Sequence, residues 1–239
     1  MISLNFFKIF LPPILTRSFW RNTILKYSKK YFFYEENFYG KYSFILSALT
    51  KYSNKKDLNY LEIGVGDAQF FNSIPLKNKI GVDPNGKGNC HLTSDNFFRK
   101  NKLFFNVIFI DGLHTYEQCS RDLINSLKFL KNNIKKNKEG SSNGIIFIHD
   151  LLPRNHHECK IYQLGDVWKV AVELSQSNNL EFKIVNIDRG LGILKLKKNY
   201  SYIRDKNLIN LNFNDFHSKY HKLLPIISCE EAFKFIDAD

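Results

Sequence analysis

Residues 60–68 read Tyr-Leu-Glu-Ile-Gly-Val-Gly-Asp-Ala, a short apolar run that enters a glycine turn. Gly64 and Gly66 can adopt positive φ without strain and let the backbone pass close to a ligand. Asp83 follows the acidic Glu62 by about 20 residues, where the end of a second strand can present a carboxylate to the hydroxyls of a ribose. The stretch therefore predicts a nucleotide-binding crevice.

Outward from this stretch, short apolar runs alternate with segments whose apolar residues recur at helical spacing. Buried strands alternating with helices are typical of a mostly parallel sheet. We predict an α/β fold with a Rossmann-like, doubly wound, mostly parallel seven-stranded sheet, an antiparallel last strand, and N- and C-terminal helical appendages. The predicted strands are 60–63, 79–82, 89–92, 104–110, 144–148, 181–187 and 192–196. The predicted helices are 14–31, 37–52, a segment after residue 67, 116–130 and 166–175, with an exposed loop at 132–143.

Positive charge is concentrated at the start of the chain, whose formal net charge is +12. Residues 1–56 hold ten Lys/Arg against two acidic residues, among many aromatic ones. Such a segment can contact a membrane surface, nucleic acid or a polyanionic substrate, although lysine is abundant throughout the chain. We predict a helical appendage at 1–56 that serves as a cap, a lid or a dimer contact, a cofactor-binding core at 57–198, and a C-terminal helical extension at 199–239.

The four cysteines lie far apart in sequence and form no CxxC pair, which favours reduced thiols in a cytoplasmic protein. His-His-Glu-Cys at 156–159 has no second ligand pair, so we interpret it as a polar loop rather than a zinc site. We expect neither a signal peptide nor a membrane-spanning helix.

The glycine turn differs from a dinucleotide-binding fingerprint in two respects. The third glycine of G-x-G-x-x-G is absent, because Asp67, Ala68 and Gln69 follow Gly66. Asp67 also places a carboxylate where a pyrophosphate would need a positive helix end. A carboxylate suits a cofactor that carries positive charge, which favours S-adenosylmethionine over NAD.

Several motifs in order resemble a known family. The segment 62–68 resembles the E/D-x-G-x-G-x-G motif of class I S-adenosylmethionine-dependent methyltransferases, with alanine for the last glycine. Asp-Gly-Leu-His-Thr-Tyr at 111–116 and Ile-His-Asp at 148–150 resemble the methyltransferase-24-like (D-G-x-H-x-Y) subgroup, and Gly-Asp-Val-Trp-Lys at 165–169 is similar to a motif of some members. The resemblance covers roughly residues 57–197. It implies methyl transfer to an oxygen of a small molecule or a sugar.

The resemblance also implies cofactor-binding roles. Glu62 would approach the methionine amino group, Asp83 would accept hydrogen bonds from the ribose hydroxyls, and Asp95, with Ser94 beside it, would accept one from the adenine amino group. Other interpretations are hydrogen bonding to the amides of the loop for Glu62, turn formation before Pro84 for Asp83, and plain helix capping for Ser94 and Asp95. The complete predicted cofactor set is Glu62, Gly64, Gly66, Asp67, Asp83, Ser94, Asp95 and Asp111.

The predicted catalytic residues are His114, Asp111 and Asp150. A histidine can accept the proton of the acceptor hydroxyl, because its pKa lies near neutrality, while Asp111 or Asp150 orients it; helix capping together with Thr115 is the alternative for His114. In related metal-dependent enzymes, acidic residues at these positions bind magnesium, so Asp111 and Asp150 are also candidate Mg²⁺ ligands. The third ligand position is Leu151, which cannot bind a metal.

Two other functional classes stay open at this point. The basic charge is compatible with a methyltransferase that acts on nucleic acid. The chain has no Asn-Pro-Pro-Tyr-like motif after the strand at 104–110, so we do not predict a nucleic-acid partner. Ala68 and Leu151 are departures that would permit a non-catalytic, cofactor-binding scaffold. A homo-oligomer and a peripheral membrane contact through the basic N-terminus are compatible with the sequence.

Overall fold

The computed structural model describes residues 40–52, 58–131, 144–177, 180–197, 200, 202 and 204–238. The predicted helix at 14–31, most of the N-terminal appendage and the predicted loop at 132–143 lie outside the described residues. None of the helices in the described ranges is long and apolar enough to cross a membrane.

The described residues form one mixed seven-stranded sheet in the order β2-β1-β3-β4-β6-β5-β7. β1 to β4 are mutually parallel, β6 is antiparallel to both β4 and β5, and β7 is parallel to β5. This arrangement confirms the predicted Rossmann-like α/β fold. The strands are β1 (Tyr60–Ile63), β2 (Lys79–Val82), β3 (Val107–Ile110), β4 (Ile145–Ile148), β5 (Leu180–Val185), β6 (Leu191–Leu196) and β7 (Ile226–Ile227).

The predicted strand at 89–92 was wrong: the structure has only an isolated bridge between Val82 and Cys90 there. The side chain of Asn89 takes the place of ladder bonds at the edge of β2. Its Oδ1 accepts the Gly81 amide at 2.8 Å, and its Nδ2 donates to the Lys79 carbonyl at 2.9 Å. The sheet reaches seven strands through β7 instead, at the opposite edge.

Helices cover both faces of the sheet, as a doubly wound fold requires. On one face, α3, α4 and α5 pack over a core that includes Phe98, Leu123 and Val170. On the other face, α1, α2 and α7 cover a second core, where Phe44 stacks on Phe233 with ring centroids 4.6 Å apart. The α-helices are α1 (Lys41–Lys51), α2 (Gln69–Ser73), α3 (Ser94–Lys100), α4 (Tyr116–Phe129), α5 (Trp168–Ser175), α6 (Phe213–Asp215) and α7 (Cys229–Asp237). Shorter 3₁₀ or π turns occur at His156–Cys159, Lys206–Asn210, Phe216–Tyr220 and His221–Leu223.

The C-terminal segment is tied to the sheet by lysine ammonium groups that bind the last carbonyls of α7. Lys195 of β6 donates to the carbonyls of Phe235 and Ala238, and Lys51 at the end of α1 donates to those of Ile236, Asp237 and Ala238. Because cations at a helix C-terminus satisfy orphan carbonyl groups, these contacts hold α1 and α7 together on one face. The N-terminal end of α1 then lies toward the carboxyl edge of β1 to β4.

Candidate functional site

The glycine turn after β1 lies against the end of β3. Gly64 has φ of 84°, and a Cβ atom at this position would lie 2.0 Å from the carbonyl oxygen of Asp111. The amide of Asp111 in turn donates to the carbonyl of Ile63 at 2.8 Å. Only glycine permits this approach, and it brings the turn to the start of the Asp-Gly-Leu-His segment.

Asp83, the predicted ribose-binding residue, stabilises the same turn. Its Oδ2 accepts the amides of Val65 at 3.1 Å and Gly66 at 2.9 Å, and its Oδ1 accepts those of Asn85 at 2.9 Å and Gly86 at 2.6 Å. Desolvation alone would raise the pKa of Asp83, but these four backbone hydrogen bonds outweigh it and lower the pKa below its usual value. Both carboxylate oxygens are therefore already engaged by the protein.

Asp67 and Ala68 directly precede the short helix α2, and Ala68 is its N-cap. Asp67 is exposed, and its Oδ1 accepts the Gln69 amide at 3.0 Å. Ala68, which replaces the last glycine of the motif, is fully buried and left-handed with φ of 63°. The backbone thus keeps the conformation of a glycine-rich turn at the residue where the sequence departs from the motif, at a steric cost of about 1 kcal/mol.

Glu62 lies inside the sheet rather than at its rim. The side chain is buried, and its Oε2 accepts the hydroxyl of Tyr60 at 2.7 Å. Burial raises the pKa of Glu62 to about 7, although the Tyr60 hydrogen bond and the nearby Lys41 and Lys79 lower it. Glu62 is therefore a carboxyl group that titrates near neutrality, beneath the glycine turn.

We expect Glu62→Gln to stabilise the cofactor-free protein at pH 8 by about 2 kcal/mol. The folded protein holds the proton up to about pH 7, whereas the group ordinarily releases it near pH 4.5. The free energy of unfolding of the wild type should thus decrease as the pH rises through this window, and that of the variant should decrease less. Urea unfolding at several pH values measures this, and equal pH dependence of the two proteins would contradict the titration.

Ser94 and Asp95, the predicted adenine-binding pair, have different surroundings in the structure. Thr93 is the N-cap of α3, so neither of the pair provides the cap. Ser94 is buried, and its Oγ accepts Nε2 of Gln118 at 3.0 Å. Asp95 is half-exposed and lies 3.5 Å from Nε of Arg121.

Asp122 of α4 is a buried carboxyl that the sequence analysis missed. Its Oδ1 accepts Nε2 of Gln118 at 3.0 Å, and burial raises its pKa to about 6, although Ser94 and Gln118 lower it by hydrogen bonding. The side chain lines the same small cavity as His114 and Asp150. The sequence around Asp122 gives no signal of this, because an acidic residue in a predicted helix is ordinarily exposed.

The three predicted catalytic residues lie together at the ends of β3 and β4. Nε2 of His114 lies 3.3 Å from Oδ2 of Asp150 and 4.0 Å from Oδ1 of Asp111. Asp150 is 3% exposed and has φ of 63°, whereas the His114 side chain is 29% exposed. The arrangement is a histidine that reaches solvent and is oriented by a buried carboxylate, as a general base requires. The other interpretation of His114 was helix capping together with Thr115. The cap of α4 is Thr115, whose hydroxyl accepts the Gln118 amide.

The Gly-Asp-Val-Trp-Lys motif fixes the backbone of His114. Gly165 has φ of 59°, and a Cβ atom there would lie 1.7 Å from the carbonyl oxygen of His114. The neighbouring Asp166 accepts the amide of Tyr116 at 2.5 Å, the first amide of α4. The two motifs that the sequence placed far apart are therefore one structural unit, which sets the position of the histidine.

His149 lies among three carboxylates. Its Nδ1 is 3.2 Å from both Asp111 Oδ1 and Asp150 Oδ1, and its Nε2 is 3.3 Å from Oδ2 of Asp188. Burial lowers the pKa of His149, but the charge and hydrogen bonding of Asp111, aided by Asp150 and Asp188, outweigh burial and raise it well above its usual range. Sequence reasoning missed Asp188, which lies in the turn between β5 and β6.

Lys41, the first residue of α1, also reaches the site and was missed. Its Nζ donates to Oδ2 of Asp111 at 2.7 Å. Burial raises the pKa of Asp111, but His149 and Lys41 together bring it far below its usual value. Two cationic side chains thus keep Asp111 ionised: His149, which follows β4, and Lys41, which begins α1.

Among the described residues, one group has the geometry to hold a metal ion: one ligand atom each from Asp111, His149 and Asp150 lie within 4.8 Å of one another. The segment 156–159 is not part of such a group. Its Glu158 instead accepts the guanidinium and the amide of Arg154. The segment forms a polar 3₁₀ turn that is capped by Asn155.

No family model matches the chain, and neither does any curated protein sequence. Among solved structures, the chain is similar to the SAH-bound methyltransferase PaMTH1 of Podospora anserina. The two share 12% sequence identity with a TM-score of 0.46, and the alignment covers 79% of this chain and 89% of that one.

Proposed function

We propose that this protein is an S-adenosylmethionine-dependent methyltransferase that methylates a hydroxyl oxygen of a small molecule or a sugar. The observation that carries the proposal is the contact between His114 and Asp150, 3.3 Å apart, beside Asp111 and the glycine turn. Ligands of open α/β sheets bind outside the carboxyl ends of the strands, and these residues lie there. O-methylation requires a general base that lies next to the binding site of a positively charged cofactor.

In this mechanism, His114 is the general base. Nε2 lies toward the carboxylate of Asp150, which leaves Nδ1 to accept the proton of the acceptor hydroxyl, and Asp150 then stabilises the imidazolium. When bound, the cofactor supplies a methyl group on a sulfonium; the acceptor oxygen forms the new C–O bond, and the electron pair of the broken C–S bond stays on sulfur. The turn at Gly64 and Gly66 would hold the cofactor beside this base, so that donor and acceptor can align.

The proposed cofactor contacts keep their sequence-based roles. Asp111 would contact the positively charged methionine part, with Glu62 buried beneath the glycine turn, and Asp95 would contact the adenine, with the buried Ser94 behind it. For Asp83, we propose that ribose hydroxyls replace the amides of the 85–86 turn as donors to Oδ1. Asp67 lies in the turn that the cofactor crosses.

The residues present do not fit a magnesium ion. Mg²⁺ prefers an octahedral set of oxygen ligands, whereas the third atom of the group is the Nδ1 of His149, already between two carboxylates. The ammonium group of Lys41 neutralises Asp111 from the other side, and the next residue, Leu151, has no ligand atom. We therefore assign no step to a metal.

We expect EDTA to leave the methyl-transfer rate unchanged, because His114 accepts the proton without a metal. The measurement is the initial rate with and without chelator, after dialysis against chelator, with Mg²⁺ or Mn²⁺ added back to a parallel sample. A chelator-dependent loss that Mg²⁺ restores would assign Asp111 and Asp150 as ligands instead.

The proposal is tested by titrating the protein with S-adenosylmethionine and S-adenosylhomocysteine in a calorimeter. Methyl transfer from labelled donor to pooled acceptors, including phenols, sugars and sugar nucleotides, then tests the reaction. Absence of binding for both compounds would overturn the proposal. Binding without transfer to any acceptor would assign a non-catalytic cofactor-binding role, and label in RNA with salt-dependent binding would assign a nucleic-acid acceptor.

A further inference from the structure

The ammonium group of Lys41 occupies a cation-binding position at the edge of the sheet. It lies 2.7 Å from Oδ2 of Asp111, 5.3 Å from the ring centroid of Phe109 and 5.8 Å from that of Phe70. A carboxylate combined with aromatic ring faces is an environment that binds ammonium and sulfonium groups. Lys41 comes from α1, outside the segment that carries the methyltransferase-like motifs, whereas the other three residues belong to that segment.

Each carboxylate oxygen of Asp111 already lies beside a cationic group. Oδ2 accepts Lys41, and Oδ1 lies 3.2 Å from the buried His149. A ligand ammonium group that takes the position beside Asp111 and the rings of Phe109 and Phe70 therefore competes with one of these two partners. Lys41 is the partner that can leave, because its side chain is 24% exposed and has a flexible four-carbon stem, whereas His149 is 8% exposed and held by three carboxylates.

We propose that Lys41 occupies the position of the cofactor's α-ammonium group, and that the cofactor binds by displacing the Lys41 side chain from Asp111. This inference rests on the proposed function, which places the methionine part of the cofactor at Asp111. Lys41 is then a built-in competing cation. It lowers the affinity of the site for any ligand that carries an amino acid, and it couples cofactor binding to the N-terminal end of α1.

The first test compares S-adenosylhomocysteine with 5′-methylthioadenosine, which has the same nucleoside and a thioether but no amino acid. We expect Lys41→Met to tighten S-adenosylhomocysteine binding about tenfold, the equivalent of one charge-assisted hydrogen bond. Binding of 5′-methylthioadenosine should not change, and Lys41→Arg should behave like the wild type. Lys77→Met, which removes a lysine charge from an exposed position, is the matched control.

A second measurement needs no variant. Lys41 in the wild-type protein should react faster with an amine-acetylating reagent when S-adenosylhomocysteine is bound, as quantified by mass spectrometry of the peptide that contains it. 5′-Methylthioadenosine should cause no such change. An unchanged or slower reaction of Lys41, or equal S-adenosylhomocysteine affinities of Lys41→Met and the wild type, would overturn the inference while leaving the proposed function intact. If the wild type bound neither S-adenosylmethionine nor S-adenosylhomocysteine, that result would instead contradict the proposed function.

Discussion

We expect His114→Ala to lower the turnover number of methyl transfer by about 10²- to 10⁴-fold while leaving the dissociation constant of S-adenosylmethionine unchanged. The substitution removes the imidazole that would accept the acceptor proton but keeps the backbone and the Cβ atom, against which Gly165 packs. Initial rates at saturating donor and acceptor, with calorimetric titration of the cofactor, separate the two effects.

Two controls make this result specific. Because the His114 side chain is 29% exposed, added imidazole should restore part of the lost rate in the alanine variant, which a merely structural role would not permit. His157→Ala removes another exposed imidazole, from the polar turn at 156–159, and should keep the wild-type rate. An undiminished rate for His114→Ala would remove this residue from the mechanism.

The features of the fold that were predictable from sequence are those fixed by local apolar pattern. β3 and β4 are continuous apolar runs, and such runs are typical of strands buried on both faces; β3 nevertheless begins at Val107 rather than at the predicted residue 104. The predicted strand at 89–92 failed for a different reason. There the pairing with β2 is limited to the bridge at Cys90, and the Asn89 side chain binds the adjacent Gly81 amide and Lys79 carbonyl. No periodicity argument detects such a replacement.

The candidate site was predictable only where its residues follow strands of the parallel sheet. Strand ends converge at one edge, which is why Asp111, His114 and Asp150 lie together. Lys41 and Asp188 reach the same place from α1 and from the turn between β5 and β6, and their positions depend on how these elements pack on the sheet. Both residues change the electrostatics of the site. Lys41 neutralises the charge of Asp111, and Asp188 helps to keep His149 protonated.

Gly64→Ala should destabilise the protein by about 4 kcal/mol, through left-handed strain and a steric clash together. The added Cβ would lie 2.0 Å from the Asp111 carbonyl oxygen and 2.5 Å from the Cα of Gly112, and neither backbone atom can move without separating β1 from β3. Urea or thermal unfolding measures the loss. We also expect the remaining folded protein to lose methyl transfer, because the displaced segment carries Asp111 and leads to His114.

Gly66→Ala is the matched control, since both glycines have positive φ and belong to one turn. Gly66 has φ of 56°, but a Cβ atom there would meet nothing within 4 Å, so only the backbone strain of about 1 kcal/mol remains. We place the cofactor at this turn, so this variant should fold and yet bind S-adenosylmethionine more weakly. Equal destabilisation by the two substitutions would show that backbone strain, rather than contact with the end of β3, makes glycine necessary at residue 64. Unchanged cofactor affinity in Gly66→Ala would place the cofactor away from this turn.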